Sequence, residues 1–196
     1  MTRLFLLLTL LLFTQPVHAK PVEWSLDQAH SRVGFTARHL GLAKVRGQFA
    51  EYNATILADD TTAQLISVKA TAQADSIDTD NGKRDKHLRS DEFLAAAKHP
   101  TLALQADSFK FNGDDFVATA KVTIRGVTKK VKFKGTRLGV QVVDFGDGPR
   151  RRAAFEATGT INRKDFGLDF NAVAEGIAIV SDEVQINLEL EIFTKM

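Results

Sequence analysis

Glu183-Val184-Gln185-Ile186-Asn187-Leu188-Glu189-Leu190-Glu191-Ile192 alternates without a break. Val184, Ile186, Leu188, Leu190 and Ile192 share one face, and Glu183, Gln185, Asn187, Glu189 and Glu191 share the other. That two-residue period belongs to a strand with one buried side. The same alternation recurs upstream at Val33-Phe35-Ala37, Val45-Gly47-Phe49, Ile66-Val68-Ala70-Ala72, Leu102-Leu104-Ala106 and Phe116-Ala118-Ala120-Val122-Ile124. It returns at Val131-Phe133 and Ala153-Phe155-Ala157-Gly159-Ile161, and Val22 to Asp27 supplies a further strand. Asn112-Gly113 between two runs is a tight-hairpin signal, and a second tight connection falls at Gly126. Eight to ten closely spaced strands with little helix between them make an all-β antiparallel sandwich or barrel.

Two stretches depart from the alternation. Residues 80–99 are polar and then alanine-rich, and Pro100 closes them. Ser90 is a capping residue, and Asp91 and Glu92 suit the positive end of a helix dipole, so short helices are expected to cross between strands here. Residues 139–152, with Gly146, Gly148 and Pro149, read as a loop. No repeat, low-complexity tract or linker divides the chain, and one domain over residues 20–196 is expected.

Composition narrows the function. The 196 residues are 44% hydrophobic and 26% charged, which is globular usage. Lys and Arg number 26 against 24 Asp and Glu, too balanced for affinity built on neutralising many phosphates, so no nucleic acid is expected. The absence of cysteine excludes disulfides, thiolate metal sites and a thiol nucleophile. Fourteen Phe stand against one Tyr and one Trp. Phenyl rings carry apolar area with no polar handle, which suits a chain that surrounds something apolar. Residues 1–19 read as a secretory signal peptide: Arg3, an apolar run from Leu4 to Phe13, and Val17-His18-Ala19 as a cleavage pattern. The run is far shorter than the ~20 residues that span a bilayer. Cleavage after Ala19 would start the mature chain at Lys20, in the periplasm or outside the cell.

Small residues fall in phase with the large apolar ones: Ala70, Ala72, Ala74, Ala118, Ala120, Ala157 and Gly159. In a barrel of about eight strands, such positions either leave room for one apolar ligand or fit small against large in a packed, tapered core. Candidate chemistry is sparse. His30 and Ser31 are neighbours on a strand start and point to opposite faces, so with Asp27 they make no hydrolytic triad. His30, His39, His87 and His99 lack metal-ligand spacing, so no metal is expected. Asp78-x-Asp80-x-Gly82 fails as a calcium loop, because the glycine comes one place early and Arg89 stands where the bidentate Glu belongs. Lys130, Lys132 and Lys134 form a solvated strand face. Arg150-Arg151-Arg152 is a basic loop able to touch an anionic membrane surface transiently.

Five motifs in order resemble the YceI-like family, periplasmic lipocalin-like proteins that bind polyisoprenoid and related long-chain lipids. They are Asp27-x-x-His30-Ser31-x-Val33-x-Phe35 with His39-Leu40 and Gly47-x-Phe49; Asn81-x-x-Arg84-Asp85-x-His87-Leu88-x-Ser90-x-x-Phe93; Thr123-Ile124-x-Gly126-Val127-Thr128; Ile161-Asn162-Arg163-x-Asp165-Phe166-Gly167-Leu168; and Asp182-Glu183-Val184-x-Ile186. Lys130 and Ser181 depart from the pattern, where proline and glycine are common. The resemblance covers essentially the whole mature chain. It implies a lipocalin-like eight-stranded antiparallel barrel closed partly by helix, an elongated apolar tunnel, no enzyme activity and no cofactor. The implied role is transport or storage of a long-chain isoprenoid or fatty lipid. Competing readings are a hydrolase or isomerase acting on a lipid and a structural periplasmic stress protein without ligand. A homodimer is compatible with all of them. Strand phase nominates the lining: Val33, Phe35, Phe49, Val68, Ala70, Leu102, Leu104, Phe116, Ala118, Ala120, Val122, Phe133, Phe155, Ala157, Ile161, Phe166, Ile186 and Leu188. Residues 81–99 and 139–152 are both expected to flank the tunnel mouth.

Overall fold

The computed structural model describes residues 20–174 and 176–196; the expected signal peptide lies outside the described residues. The strands are β1 (Pro21–Leu26), β2 (Arg32–His39), β3 (Ala43–Phe49), β4 (Tyr52–Asp59), β5 (Leu65–Gln73), β6 (Ile77–Asp78), β7 (Thr101–Ala106), β8 (Phe109–Asn112), β9 (Asp115–Ile124), β10 (Val127–Asp144), β11 (Pro149–Asn162), β12 (Val173–Ala174), β13 (Ile177–Ala178) and β14 (Val180–Lys195). One α-helix, α1 (Gly82–Arg89), follows β6. Three single 3-10 turns cover Gln28–His30, Ala74–Ser76 and Arg163–Phe166.

Eight strands close a ring in the order β1-β4-β5-β7-β9-β10-β11-β14, with β14 returning to β1 and every pairing antiparallel. Closure removes the free edges that make open sheets prone to aggregation. The expected faces hold on β14: Ile186 lies opposite Phe35 and Gly159, Leu188 opposite Val33 and Ala157, and Leu190 opposite Phe155. All of them face the interior, as a period of two requires.

The two ends of the ring differ in construction. β14 pairs with β1 only at Ile192–Phe193 and with β2 from Val180 to Glu189. β1 and β2 are thus successive lengths of one wall position, interrupted by the turn at Gln28–His30, and β3 and β4 succeed each other in the next. Where β1, β4 and β5 meet, the ladder is continuous. Beyond it, β3 finds only Ile77 and Asp78 of β6, and the wall between β3 and β7 is made by α1 and the turns after it.

That crossover is held by capping. The Asn81 side chain accepts from the Arg84 amide at 3.0 Å and starts α1, as short polar caps do. Ser90 does not open a helix. It ends α1, donating its hydroxyl to the His87 carbonyl at 2.7 Å, and Ala95 at φ 47° prevents a second helix from forming. Inside the crossover, the buried Asp85 carboxylate accepts from Thr79 through both its amide (3.0 Å) and its hydroxyl (2.5 Å).

Residues 139–152 are not a loop. β10 and β11 pair as far as Asp144 and Pro149, so the turn is only residues 145–148. Gly139 marks a bulge in the ladder, after Arg137, and a bulge absorbs a glycine without ending the strand. The β8–β9 hairpin turns on Gly113-Asp114, since Asn112 pairs with Asp115. Arg125-Gly126, both at positive φ, forms the primed two-residue turn between β9 and β10.

Candidate ligand cavity

The interior divides in two. Trp24, Ile56, Ala58, Ala63, Phe116, Phe155 and Ile192 fill the half closed by β1, where Ile56 and Ile192 are wholly buried. The other half encloses a cavity of about 220 Å³. Its wall draws on β2 and β14 (Val33, Phe35, Ala37, Val184, Ile186, Leu188), β5 and β7 (Val68, Ala70, Ala72, Leu102, Leu104) and the crossover (Leu88, Phe93, Leu94). Lining residues run from Leu26 and Leu190, against the filled half, to Val180 and Leu168, near the β2–β3 turn.

Three polar members of this wall, Arg163, Tyr52 and Asn53, are engaged elsewhere. Arg163 is buried and spends its guanidinium on the carbonyls of Ser181 (3.0 Å) and Leu168 and on the Asp182 carboxylate (2.9 Å). The Tyr52 hydroxyl donates to the Ser31 carbonyl at 2.6 Å. Burial and the nearby Asp27 charge push its pKa above the ordinary phenol value. It stays a neutral bridge across the interruption between β4 and the β1–β2 corner, which Gln28 also spans to the Tyr52 carbonyl at 2.9 Å. Asn53 turns its side-chain oxygen to the Ala54 amide. The cavity offers a ligand carbon on nearly every side and no uncompensated charge.

Among the eighteen residues nominated from strand phase, eleven lie on this wall: Val33, Phe35, Phe49, Val68, Ala70, Leu102, Leu104, Val122, Ile161, Ile186 and Leu188. Seven do not. Phe116, Ala118 and Phe155 belong to the filled half, and Ala120, Phe133 and Phe166 are core residues beneath the cavity. Ala157 packs at the junction of the two. Phase shows that a side chain points inward; it does not show whether another already occupies the space opposite. Gly159 illustrates this, since the Phe133 ring covers it and a Cβ there would meet that ring at 2.8 Å.

The reading missed the crossover's Leu88, Phe93 and Leu94, which no alternation marks, and Tyr52 and Arg163. Ala37, Val184 and Leu190 shared the inward phase and could have been named. No residue of 139–152 lines the cavity. That hairpin continues the filled half, where Val140 packs, and the expectation that it flanks the mouth is corrected.

Two other places could suggest a site. A shallow hollow of about 480 Å³ lies outside the sheet, over Lys69, Thr71, Gln105, Lys121 and Thr123. It is the concave back of a twisted sheet carrying its solvent-facing side chains. Asp27, His30 and Glu191 bring ligand atoms within 4.8 Å of one another, but the Arg152 guanidinium bridges Asp27 and Glu191, at 2.6 Å from the latter. Burial alone would raise the Asp27 carboxyl. The hydrogen bond from His30 at 3.1 Å and the charges of His30 and Arg152 outweigh it and hold Asp27 below the ordinary carboxylate value. A cation already sits between these acids, and Ser31 serves the Glu191 backbone instead of a triad.

Residues 24–192 match the YceI-like domain. The chain belongs to the YceI-like family. It is 35% identical to the YceI protein of Salmonella arizonae over 185 residues, covering 92% of this chain and 91% of that one. The crystal structure of the YceI protein of Campylobacter jejuni superposes with a TM-score of 0.70 at 30% identity, over 89% of this chain and 99% of that chain. A polyisoprenoid-binding domain from Saccharophagus degradans shares the fold at a TM-score of 0.57 and 14% identity, over 86% of this chain and 97% of its own. The fold is thus an eight-stranded antiparallel barrel, as the motifs implied, with one short helix in the crossover where several were expected.

Proposed function

We propose that the protein is an exported, non-enzymatic carrier of a long-chain amphiphilic lipid of the polyisoprenoid or fatty class, holding the tail in the cavity and leaving the head group outside. One observation carries this reading: the cavity wall is overwhelmingly apolar, and its Arg163 and Tyr52 are already hydrogen-bonded to the protein. A volume of about 220 Å³ exceeds the roughly 150 Å³ at which an apolar cavity stays dry and accepts benzene. Each buried CH₂ contributes about 0.8 kcal/mol, so ten carbons offer roughly 8 kcal/mol before ordering costs. No polar anchor is needed for retention. The Saccharophagus barrel supports the ligand class through its name, while its low identity confines the comparison to the fold.

Turnover would need a general acid, base or nucleophile convergent on the cavity, and Arg163 and Tyr52 on its wall are already hydrogen-bonded to the protein. Export follows from residues 1–19, with cleavage after Ala19 and the periplasm as the destination. Contact with a donor membrane is assigned to the cavity end rather than to Arg150-Arg151-Arg152, whose charges pair with Asp147, Asp60, Asp27 and Glu191. Leu42, Val173 and Ile177 are exposed near that end, and Leu40 ties their two segments together through the Ile179 carbonyl.

Mass spectrometry of lipid extracted from the purified mature protein tests the proposal. Wild type should yield a long-chain lipid in stoichiometric amount, and Leu188→Arg should yield none while keeping its β-sheet circular dichroism. An empty wild-type barrel, or lipid chemically altered on incubation, would overturn it.

A further inference from the structure

Lys20 stands at the first position of the expected mature chain, and its nitrogen has a specific partner. It lies 3.0 Å from Oδ2 of Asp59. The Lys20 carbonyl accepts from the Asp60 amide at 3.0 Å, and Pro21 pairs with Asp59 in the β1–β4 ladder. Asp59 is only 5% exposed, unusual for a carboxylate unless it is paired. Its other oxygen is saturated: Oδ1 accepts from the Thr61 amide (3.1 Å), the Thr62 amide (2.6 Å) and the Thr62 hydroxyl (2.7 Å). Oδ2 has the Lys20 nitrogen. Burial alone would raise this carboxyl, but the Thr62, Lys20 and Thr61 donors outweigh burial and hold it below the ordinary carboxylate value.

In the uncut chain, that nitrogen is a neutral amide with one hydrogen to give. Hydrolysis of the Ala19–Lys20 bond adds one water: the oxygen goes to the Ala19 carbonyl carbon, leaving a carboxylate, and the nitrogen takes up protons to become an ammonium. We propose that Asp59 is the built receptor for the α-ammonium released at Lys20, so that processing itself completes a part-buried ion pair fastening β1 to β4. The proposal rests on cleavage after Ala19. It makes removal of the leader a step in stabilising the fold, because β1 is the strand that closes the barrel.

The charges around this ammonium are few. Asp59 at the end of β4 and Asp60 just beyond that strand lie beside it, the Lys20 Nζ itself stands 4.0 Å from Asp60, and Arg151 of β11 holds Asp60 from the other side at 3.2 Å. Arg137 of β10 reaches the Thr62 carbonyl behind the loop. An α-amino group beside a buried carboxylate should titrate above its ordinary ~7.7–8.0. A group whose pKa is raised on folding contributes stability below its unfolded value and loses it as pH rises through the folded one.

The test compares a chain released with a free Lys20 amine by precise proteolysis of a fusion with the same chain acetylated at that nitrogen. At pH 7, the free amine should make the unfolding equilibrium constant about tenfold smaller, the difference between a charge-assisted and a neutral hydrogen bond. The difference should fade progressively above about pH 8. It should vanish in Asp59→Asn and survive in Lys20→Gln, which removes only the surface pair. If Asp59→Asn does not fold, NMR titration of the α-amino group in the wild type decides instead. Equal stability of the two chains at pH 7, a difference that persists in Asp59→Asn, or an α-amino group titrating at its ordinary value would each overturn the proposal. N-terminal sequencing of the exported protein separately tests the cut. It should begin at Lys20, and a different first residue would remove the premise without touching the chemistry of the pair.

Discussion

β14 passes through both halves of the barrel with the same alternation, yet Ile192 is completely buried while Ile186 and Leu188 remain half-exposed. The strand, the phase and the residue types are alike. What stands across the interior differs. Opposite Ile192, the rings of Trp24, Phe116 and Phe155 meet in one cluster, with Phe116 and Phe155 6.3 Å apart edge to face. Around Ile186 and Leu188, the wall carries Ala54, Ala70 and Ala72, whose methyl groups reach only a short way inward. The barrel therefore separates two duties along one set of strands, with stability residing where the ladder is continuous and open volume where the crossover replaces it.

Phe155→Ala and Leu188→Ala set that division against each other most strongly. Phe155→Ala should cost about 3–5 kcal/mol in urea unfolding, the price of a cavity among tightly packed neighbours. Leu188→Ala should cost about 1 kcal/mol, since part of its surface already meets empty space. Equal losses would mean that the two halves are packed alike.

Filling substitutions sharpen the contrast with smaller effects. Ala70→Phe should occupy the cavity and exclude lipid at a cost under about 1.5 kcal/mol, because the added ring has room. Ala120→Phe should overpack the core beneath it, costing about 1–3 kcal/mol while lipid loading persists. Lipid analysis of both variants beside their unfolding curves checks the pair, and loss of loading in Ala120→Phe alone would reverse the assignment.

The smallest effect comes from the corner between the halves. Asp27 has a folded pKa below its ordinary value, so its stabilising contribution is present above about pH 4 and is lost as pH falls through the lower folded value. Asp27→Asn should lower stability by about 1 kcal/mol at pH 7, and the gap to wild type should close in that acid range. A gap unchanged at low pH would show that hydrogen bonding to Arg152 survives without the charge.

The alternation in Glu183 to Ile192 is enough to predict a strand and its buried face, because a slip of one residue would expose five large apolar side chains at once. The glycines of 139–152 misled because glycine marks a bulge as readily as a turn, and the Val140 and Arg151 alternation around them is short. Ser90 misled because Asn81, nine residues earlier, is an equally good cap. The cavity was legible only by half. Inward phase is a property of one strand, whereas emptiness depends on what reaches in from the opposite wall. Leu88, Phe93 and Leu94 lie in a segment of turns with no period to read.

Gly47 bears on how wide the cavity of such a barrel can be. A Cβ on this residue would stand 2.4 Å from the Phe35 ring, so the ring reclines on bare backbone and leaves the lumen clear. Phe116 reclines on Gly135 in the same way, and Phe133 on Gly159. Of these three rings only Phe35 lines the cavity, so its calibre there is set by the absent methyl group of Gly47. Restoring one at Gly47 would swing a whole phenyl ring toward the axis, a large change in bore from a single-carbon substitution, made without touching any residue that a head group would meet.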